Sequence, residues 1–585
     1  MAGVCARLER EGFGRELGAA AFVYTAVTAF VTWPMLPLAA EHIVAPGAAE
    51  PADSSHVMWI LAWGAHALLS QPWQLFDGNI LYPSRGMLAE SEHLLGHMPL
   101  FAPIWWLSGN PVLALNALLL VSYVMSCVFM HAMIYRWTGS RSAAYVSGLA
   151  YGFAPWRVLG LRTPHYTLGQ YLPLILLGID GATGTGLLKF AWLAAAALAV
   201  QVLASYHLGY AAYFLAGAHI LSDLIWRGVG GRGRAWLTIA CACLTPLLVI
   251  VPLSLPYLRS EAAGSLSGRE YESLRELAHV QGIPSLVAAQ YVGFGTLALS
   301  LAALPLLAVG RPPVGDRVRI TTLFLAMAGG FMLARGPVTH LGGWIAPYDW
   351  LSAAVPGFRG VRVPWRLASL ASFGASGLAG FAIARVTSLI RRFRGGGSLG
   401  VVWTAGAIFA VLLPALGVQL SAWGLQTGDR VPAVYRWLAK NGDRGPLLEM
   451  PFRAGLPGLL PAVHEMYLST YHWLPILNGS VRYPPPSYDF VTSQATMLPD
   501  ASALRALANC AHLRWIVIHQ ATPDQERAWL DLPGLRFIGS FPTEEHHLEL
   551  DLLYEVVLPP DPQACTPAPW ATPRRVVGAA WTSRR

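Results

Sequence analysis

Apolar stretches of about 20 residues, each long enough to cross a bilayer as one helix, recur through the first 422 residues of this chain. Lipid offers no hydrogen-bond partner to a peptide group, so such stretches have to be helices that satisfy their own backbone. They fall near 17–40, 110–135, 142–156, 167–181, 187–204, 208–226, 235–257, 287–309, 319–334, 366–388 and 400–422, about eleven spans in all. His93–Leu107 is also apolar, but Pro99 and Pro103 interrupt it, which suits a re-entrant or interfacial piece. With 54% apolar and only 12% charged residues, the composition describes an α-helical polytopic membrane protein and not a soluble chain of 585 residues.

Arginines at the span ends give an orientation. Arg7, Arg10 and Arg15, Arg136 and Arg141, Arg227, Arg232 and Arg234, Arg311, Arg317 and Arg319, and Arg391, Arg392 and Arg394 all fall on one side when about eleven spans are counted. That side is the cytoplasm, which leaves the N-terminus inside and the C-terminus outside. The first segment is too long, and too weakly ended by small residues, for a cleaved signal peptide. Lys189 and Lys440 are the only lysines behind the net charge of +8, and this excess does not call for a nucleic-acid partner.

After Trp423 the pattern changes to short helices and strands. Val431–Lys440 and Asp500–Ala511 read as helices, and Pro446–Met450, Arg514–His519, Leu535–Ser540 and Leu552–Val557 as strands. The domains are therefore a membrane domain over 1–422, a small extracytoplasmic α/β domain over 423–558, and a loosely ordered Pro-rich tail over 559–585. The six cysteines show no metal-ligand spacing; Cys510 and Cys565, if both lie outside the cytoplasm, could pair.

The polar residues concentrate in the external loops. Asp53 stands at the membrane border, just ahead of an aromatic run, where a carboxylate is costly unless something uses it. It could serve as a general base for an acceptor hydroxyl, as could Glu92, with His56 beside them; the plainer role for Asp53 is to cap the helix that follows. Asp53 with His56, and Glu90 with His93, each place a carboxylate and an imidazole one helical turn apart, a spacing that can hold a divalent metal. Four such residues in one wet loop also arise by chance, so no metal is assigned. In the next loop Arg157, Arg162 and His165 would suit a phosphate, and in the third Arg359, Arg362 and Arg366 crowd into eight residues on the side that disfavours arginine. An anionic lipid headgroup accounts for them; snorkelling to membrane lipids is the alternative. Tyr206 and His207 lie between two spans, the mixed-charge run Glu261–Glu276 reads as an amphipathic surface helix, and His131 and His219, inside spans, read as satisfied buried histidines.

Taken in order, Asp53, Asn79–Pro83, Ala89–His93, Phe153–Arg157, Pro356–Pro364, Leu448–Pro451 and Val517–His519 make the chain resemble the GT-C superfamily of integral-membrane glycosyltransferases, in a bacterial branch. The resemblance covers nearly the whole chain, though each string is short. It implies a multi-pass protein of the bacterial inner membrane that moves a sugar from a polyprenyl-phosphate carrier to a lipid, glycan or protein acceptor. It also implies an acidic residue of the first external loop as base and basic residues on the carrier phosphate. No phosphate-cradling GxxxxGK[ST] or GxGxxG stands in a strand-turn-helix setting. Two other readings use the same residues: a transporter or flippase for a lipid-linked glycan, and an inactive relative serving as a scaffold. Transport predicts functional groups on both faces, whereas the cytoplasmic loops hold little beyond arginine.

Overall fold

The structure, a computed structural model, describes residues 2–260, 290–310, 312–337, 347–361, 363–392, 396–443, 445–453, 458–481, 484–521, 527, 529–542, 550–559, 561–565 and 568. Arg362, the run 261–276 and most of the tail lie outside them. The chain forms two compact units, one of 1–69 with 92–425 and one of 70–91 with 426–585.

The first unit is a helical bundle. Six of its helices are long and apolar enough to cross a membrane: Pro111–Thr138, Tyr206–Arg227, Gly233–Arg259, Val314–Ala334, Pro364–Ile390 and Gly397–Leu416. Other apolar segments are shorter than the sequence reading drew them. The segment 142–156 breaks at Phe153 into Arg141–Gly152 and the five-residue helix Pro155–Leu159, because Pro155 can start a helix but not continue one. Twelve residues rise only about 18 Å, well short of a hydrocarbon core of about 30 Å. Likewise 167–181 is the helix Leu172–Thr185, and the first helix ends at Val31, ahead of Pro34 and Pro37. Helix Met98–Ser108, with Pro103 inside it, is also too short to span.

The last predicted span overran its helix. Gly396–Leu416 is helical, but Leu420–Gly424 is a strand, β2, paired antiparallel with β1, His42–Pro46. Apolar strand residues between turns look like the end of a span in sequence, and only the distant partner at 42–46 shows otherwise.

Small residues let the helices touch. A Cβ on Gly374 would fall inside contact distance of the Leu323 carbonyl oxygen, and one on Gly330 would strike the Ala371 amide, so Val314–Ala334 and Ala368–Ile390 pack backbone to backbone. His219 is satisfied between Thr183 at 3.2 Å and Thr322 at 3.1 Å, whereas His131 bonds the Tyr24 hydroxyl through Nδ1 at 2.9 Å and its Nε2 has no hydrogen-bond partner among the described residues. Arginines of the basic clusters meet buried acids. Arg319 pairs with Asp180 at 3.0 Å, Arg141 with Glu16 at 2.7 Å, and Arg227 and Arg232 both with Asp223.

The second unit is built on a four-stranded sheet in the order β3-β4-β6-β5, where β3 is Leu447–Met450, β4 Trp515–Ala521, β5 Leu535–Pro542 and β6 Leu550–Val556. β3 and β4 run parallel, and the other neighbours antiparallel. Residues 79–82 belong to this unit because Leu81 and Tyr82 donate their amides to the carbonyls of Asn478 and Ile476. Helix Ala501–Cys510, capped by Asp500, packs with the sheet into an apolar core of Leu504, Leu507, Ile516 and Tyr554. Cys510 and Cys565 are joined in a disulfide.

That bond persists only in an oxidising compartment. In intact membranes, Cys510 and Cys565 should resist a maleimide reagent until a reductant is added and label afterwards. Labelling of both before reduction would place the second unit in the cytoplasm.

Candidate functional site

Polar residues at the start of helix Ala52–Ser70 and around 92–97 meet those of later loops within the first unit. Asp53 lies exposed in the first turn of helix Ala52–Ser70, where a carboxylate also favours the helix N-terminus. His56 follows one turn on and feels the Asp53 charge, although burial outweighs it and holds the imidazole below its ordinary range. His56 in turn is felt by His165. Burial first, and then the charges of Arg366, His56, His97 and His207, keep His165 well below the usual histidine range. Asp53, His56, His165 and Arg366 thus form a file only in the sense that each group is within electrostatic reach of the next, from exposed Asp53 to half-buried Arg366.

Glu92 and His93 stand beside this file. One Glu92 oxygen accepts the His207 amide at 3.2 Å, while Oε2 is shut off from solvent and has no hydrogen-bond partner among the described residues. Burial lifts its carboxyl above the ordinary range, against the pull of the His207 amide and the Arg366 charge. His93 is buried and held at about 4. Its Nδ1 accepts the Leu95 amide at 3.1 Å, which leaves the proton on Nε2 to donate to Tyr206 Oη at 3.2 Å. Tyr206 meets Ser254 at 3.0 Å, and the ring of Tyr257 closes over the pair. His97, fully buried, is held at about 3. Arg366 lies with its Cζ 3.4 Å from the centroid of the Tyr166 ring, and Tyr166 in turn meets His165 at a tilt and His207 edge-on.

Several predicted residues sit elsewhere. Arg157 does not face a ligand at the surface: it is 0% exposed, with its Cζ 5.0 Å from the Tyr123 ring centroid, 5.5 Å from Trp156 and 5.7 Å from Tyr151. Cation–π attraction replaces water around it, because the helix begun by Pro155 carries the side chain inward. Arg162 is engaged in tying down a loop, donating to the carbonyls of Pro46 at 3.0 Å, Ala49 at 2.7 Å and Glu50 at 3.4 Å. His165 is a neutral imidazole at neutral pH, so it offers a hydrogen bond and not a charge to a phosphate. Exposed Arg359 donates to the Ser352 carbonyl, and Glu90 belongs to the second unit. Among the described residues no group of three or more His, Cys, Asp or Glu side chains converges on a metal position, so the paired carboxylate and imidazole spacings do not assemble into a metal set. In the sequence Tyr206, His207 and His97 stand out only as polar groups of loops and span ends, and Tyr166 and Tyr257 do not stand out at all. The run of His and Tyr flanking a Pro at 164–166 and the Tyr-His pair opening a span were the available signals.

Six helices of membrane-crossing length and apolarity make this a polytopic membrane protein, and its fold is one shared with solved membrane transferases. Among solved structures, an arabinofuranosyltransferase from Mycobacteria, AftD, shares the fold with a TM-score of 0.58 at 17% identity, over 94% of this chain and 42% of that one. A second AftD structure gives 0.57 at 16% identity, over 94% and 40%. An oligosaccharyltransferase from Archaeoglobus fulgidus is a looser likeness, at 0.46 and 11% identity over 86% and 68%. At these identities the likeness is one of fold, and the chain spans about two fifths of the length of the AftD chains. No family model and no curated protein matches the chain.

The Arg162 contacts generate a test. Arg162→Lys should keep the charge but lose at least two of three carbonyl contacts, lowering stability by about 1–2 kcal/mol at roughly 0.5–1.5 per bond. A thermal melt of the purified protein would read this, and an unchanged melting temperature would mean the contacts contribute nothing.

Proposed function

We propose that this chain is a membrane glycosyltransferase that moves a sugar from a polyprenyl-phosphate carrier to an acceptor hydroxyl on the extracytoplasmic side. The observation that carries the reading is the file Asp53, His56, His165 and Arg366, flanked by Glu92, in a unit with a glycosyltransferase fold. Its two ends differ as the chemistry needs. Asp53, exposed and open to solvent, takes the proton from the acceptor hydroxyl as that oxygen attacks the anomeric carbon. The carbon–oxygen bond to the carrier breaks, its electron pair leaves with the phosphate, and the Arg366 guanidinium stabilises the charge that develops there. The neutral imidazoles of His56 and His165 lie between, where they orient hydroxyls without competing for the phosphate.

Glu92 supports the site instead of serving as base. Its burial favours the protonated form, and its bond to the His207 amide fixes the start of helix Tyr206–Arg227 against the loop. The arginine clusters support an extracytoplasmic position for this face, and the carrier, a lipid or glycan acceptor and the surrounding lipids are the partners proposed with it. No step of this proposal is routed through a metal.

Asp53→Asn should abolish transfer from a synthetic polyprenyl-phosphate sugar while membrane insertion stays normal. Arg366→Lys should raise the donor KM, since lysine keeps the charge but loses the two-pronged geometry. Glu92→Gln should leave measurable turnover. Full turnover in Asp53→Asn would reduce that residue to a helix-end charge.

A further inference from the structure

The second unit holds a cavity of about 350 Å³, at the small end of ligand-pocket sizes. It opens beyond the carboxyl ends of the two parallel strands: Pro451 and Arg453 follow β3, and His519 and Gln520 close β4. Crevices at that end of parallel strands are where open α/β sheets bind ligands. The backbone is strained at this point. Gln520 is not glycine yet has φ of 51°, and the β4–β6 register slips between Ile518 and Ala521. Such a bulge re-aims side chains, and strain in a folded chain persists where the surroundings hold it.

Beneath the cavity, a fixed network holds the wall. His519 donates through Nε2 to Glu449 at 3.0 Å and through Nδ1 to Asp551 at 3.1 Å, and Tyr435 donates to the same Glu449 oxygen. Burial pushes the His519 imidazole down, but these two carboxylates outweigh it and lift it to about 10. Burial and the Glu449 charge push Glu465 up, to about 8.

We propose that this cavity binds a segment of glycan chain. Its wall interleaves planar donors and acceptors, the amides of Gln426 and Gln520, the guanidinium groups of Arg430 and Arg453 and the carboxylate of Asp551. Sugar hydroxyls both give and take hydrogen bonds, so such a mixed wall suits them. The apolar lining, three prolines and Leu468, offers too little surface for a lipid tail. This binding stands apart from the transfer proposed for the first unit.

The test titrates the full chain in detergent micelles with short linear gluco-, manno- and arabino-oligosaccharides, and separately with inorganic phosphate, following ligand signals by saturation-transfer NMR. At least one oligosaccharide series should bind. Gln520→Ala and Arg453→Ala should each weaken it at least about five-fold, the loss of roughly one hydrogen bond, with unchanged melting temperature. Glu92→Gln should leave binding intact whatever it does to transfer. If Gln520→Ala alters the melting temperature, Arg453→Ala, at an exposed position, decides alone. Binding of none of the three series, binding of phosphate alone, or wild-type affinity in Arg453→Ala would overturn the proposal.

Discussion

Asp180 sits almost fully buried in helix Leu172–Thr185, and its carboxylate takes Arg319 from Val314–Ala334 and the Trp137 indole, at 2.9 Å, from Pro111–Thr138. Three helices are held by one charge that could not remain there alone, because an unpaired buried ion costs several kcal/mol. The same constraint recurs wherever this chain takes charge out of water. Asp223 gathers Arg227 and Arg232, Glu16 takes Arg141, and Arg157 surrounds itself with aromatic faces. These devices lock the bundle, and with its helices fixed the loops can hold a site.

The site follows the rule in its other form. A titratable group that is not paired has to change its protonation, and the histidines of the loops do so: burial keeps His93, His97 and His165 neutral. Glu92 moves the opposite way and toward its protonated form for the same reason. Asp53 stands exposed on one side of these buried groups, and the Arg366 guanidinium is half-buried against Tyr166.

Much of this was legible in sequence because it is local. Spans announce themselves by length and apolarity, and Asp53 and His56 share one helical turn whatever surrounds them. The errors share a cause as well. Arg157 and Arg162 resemble loop arginines awaiting an anion, and nothing near them in sequence shows that one turns into an aromatic cage and the other clamps residues 46–50. Glu90 and Glu92 are two residues apart yet belong to different compact units. The apolar residues 420–424 imitate the end of a span until β1, almost 400 positions earlier, is seen beside them.

By itself the sequence determined that the chain must enter a membrane, because no soluble core could absorb 54% apolar residues in such runs, and it placed an acidic residue where lipid would not tolerate an idle one. It also marked a separate α/β region after the last span, with Cys510 and Cys565 available to bond. Tertiary structure alone decided which polar residues meet. His165, Arg366, Glu92 and His207 come from four separate stretches of chain, and their convergence depends on helix packing that small residues permit at Gly330 and Gly374. The cavity beside β3 and β4 likewise exists because strands 65 positions apart run parallel and end together. Periodicity records which face of a segment is buried; it carries no record of the segment across from it.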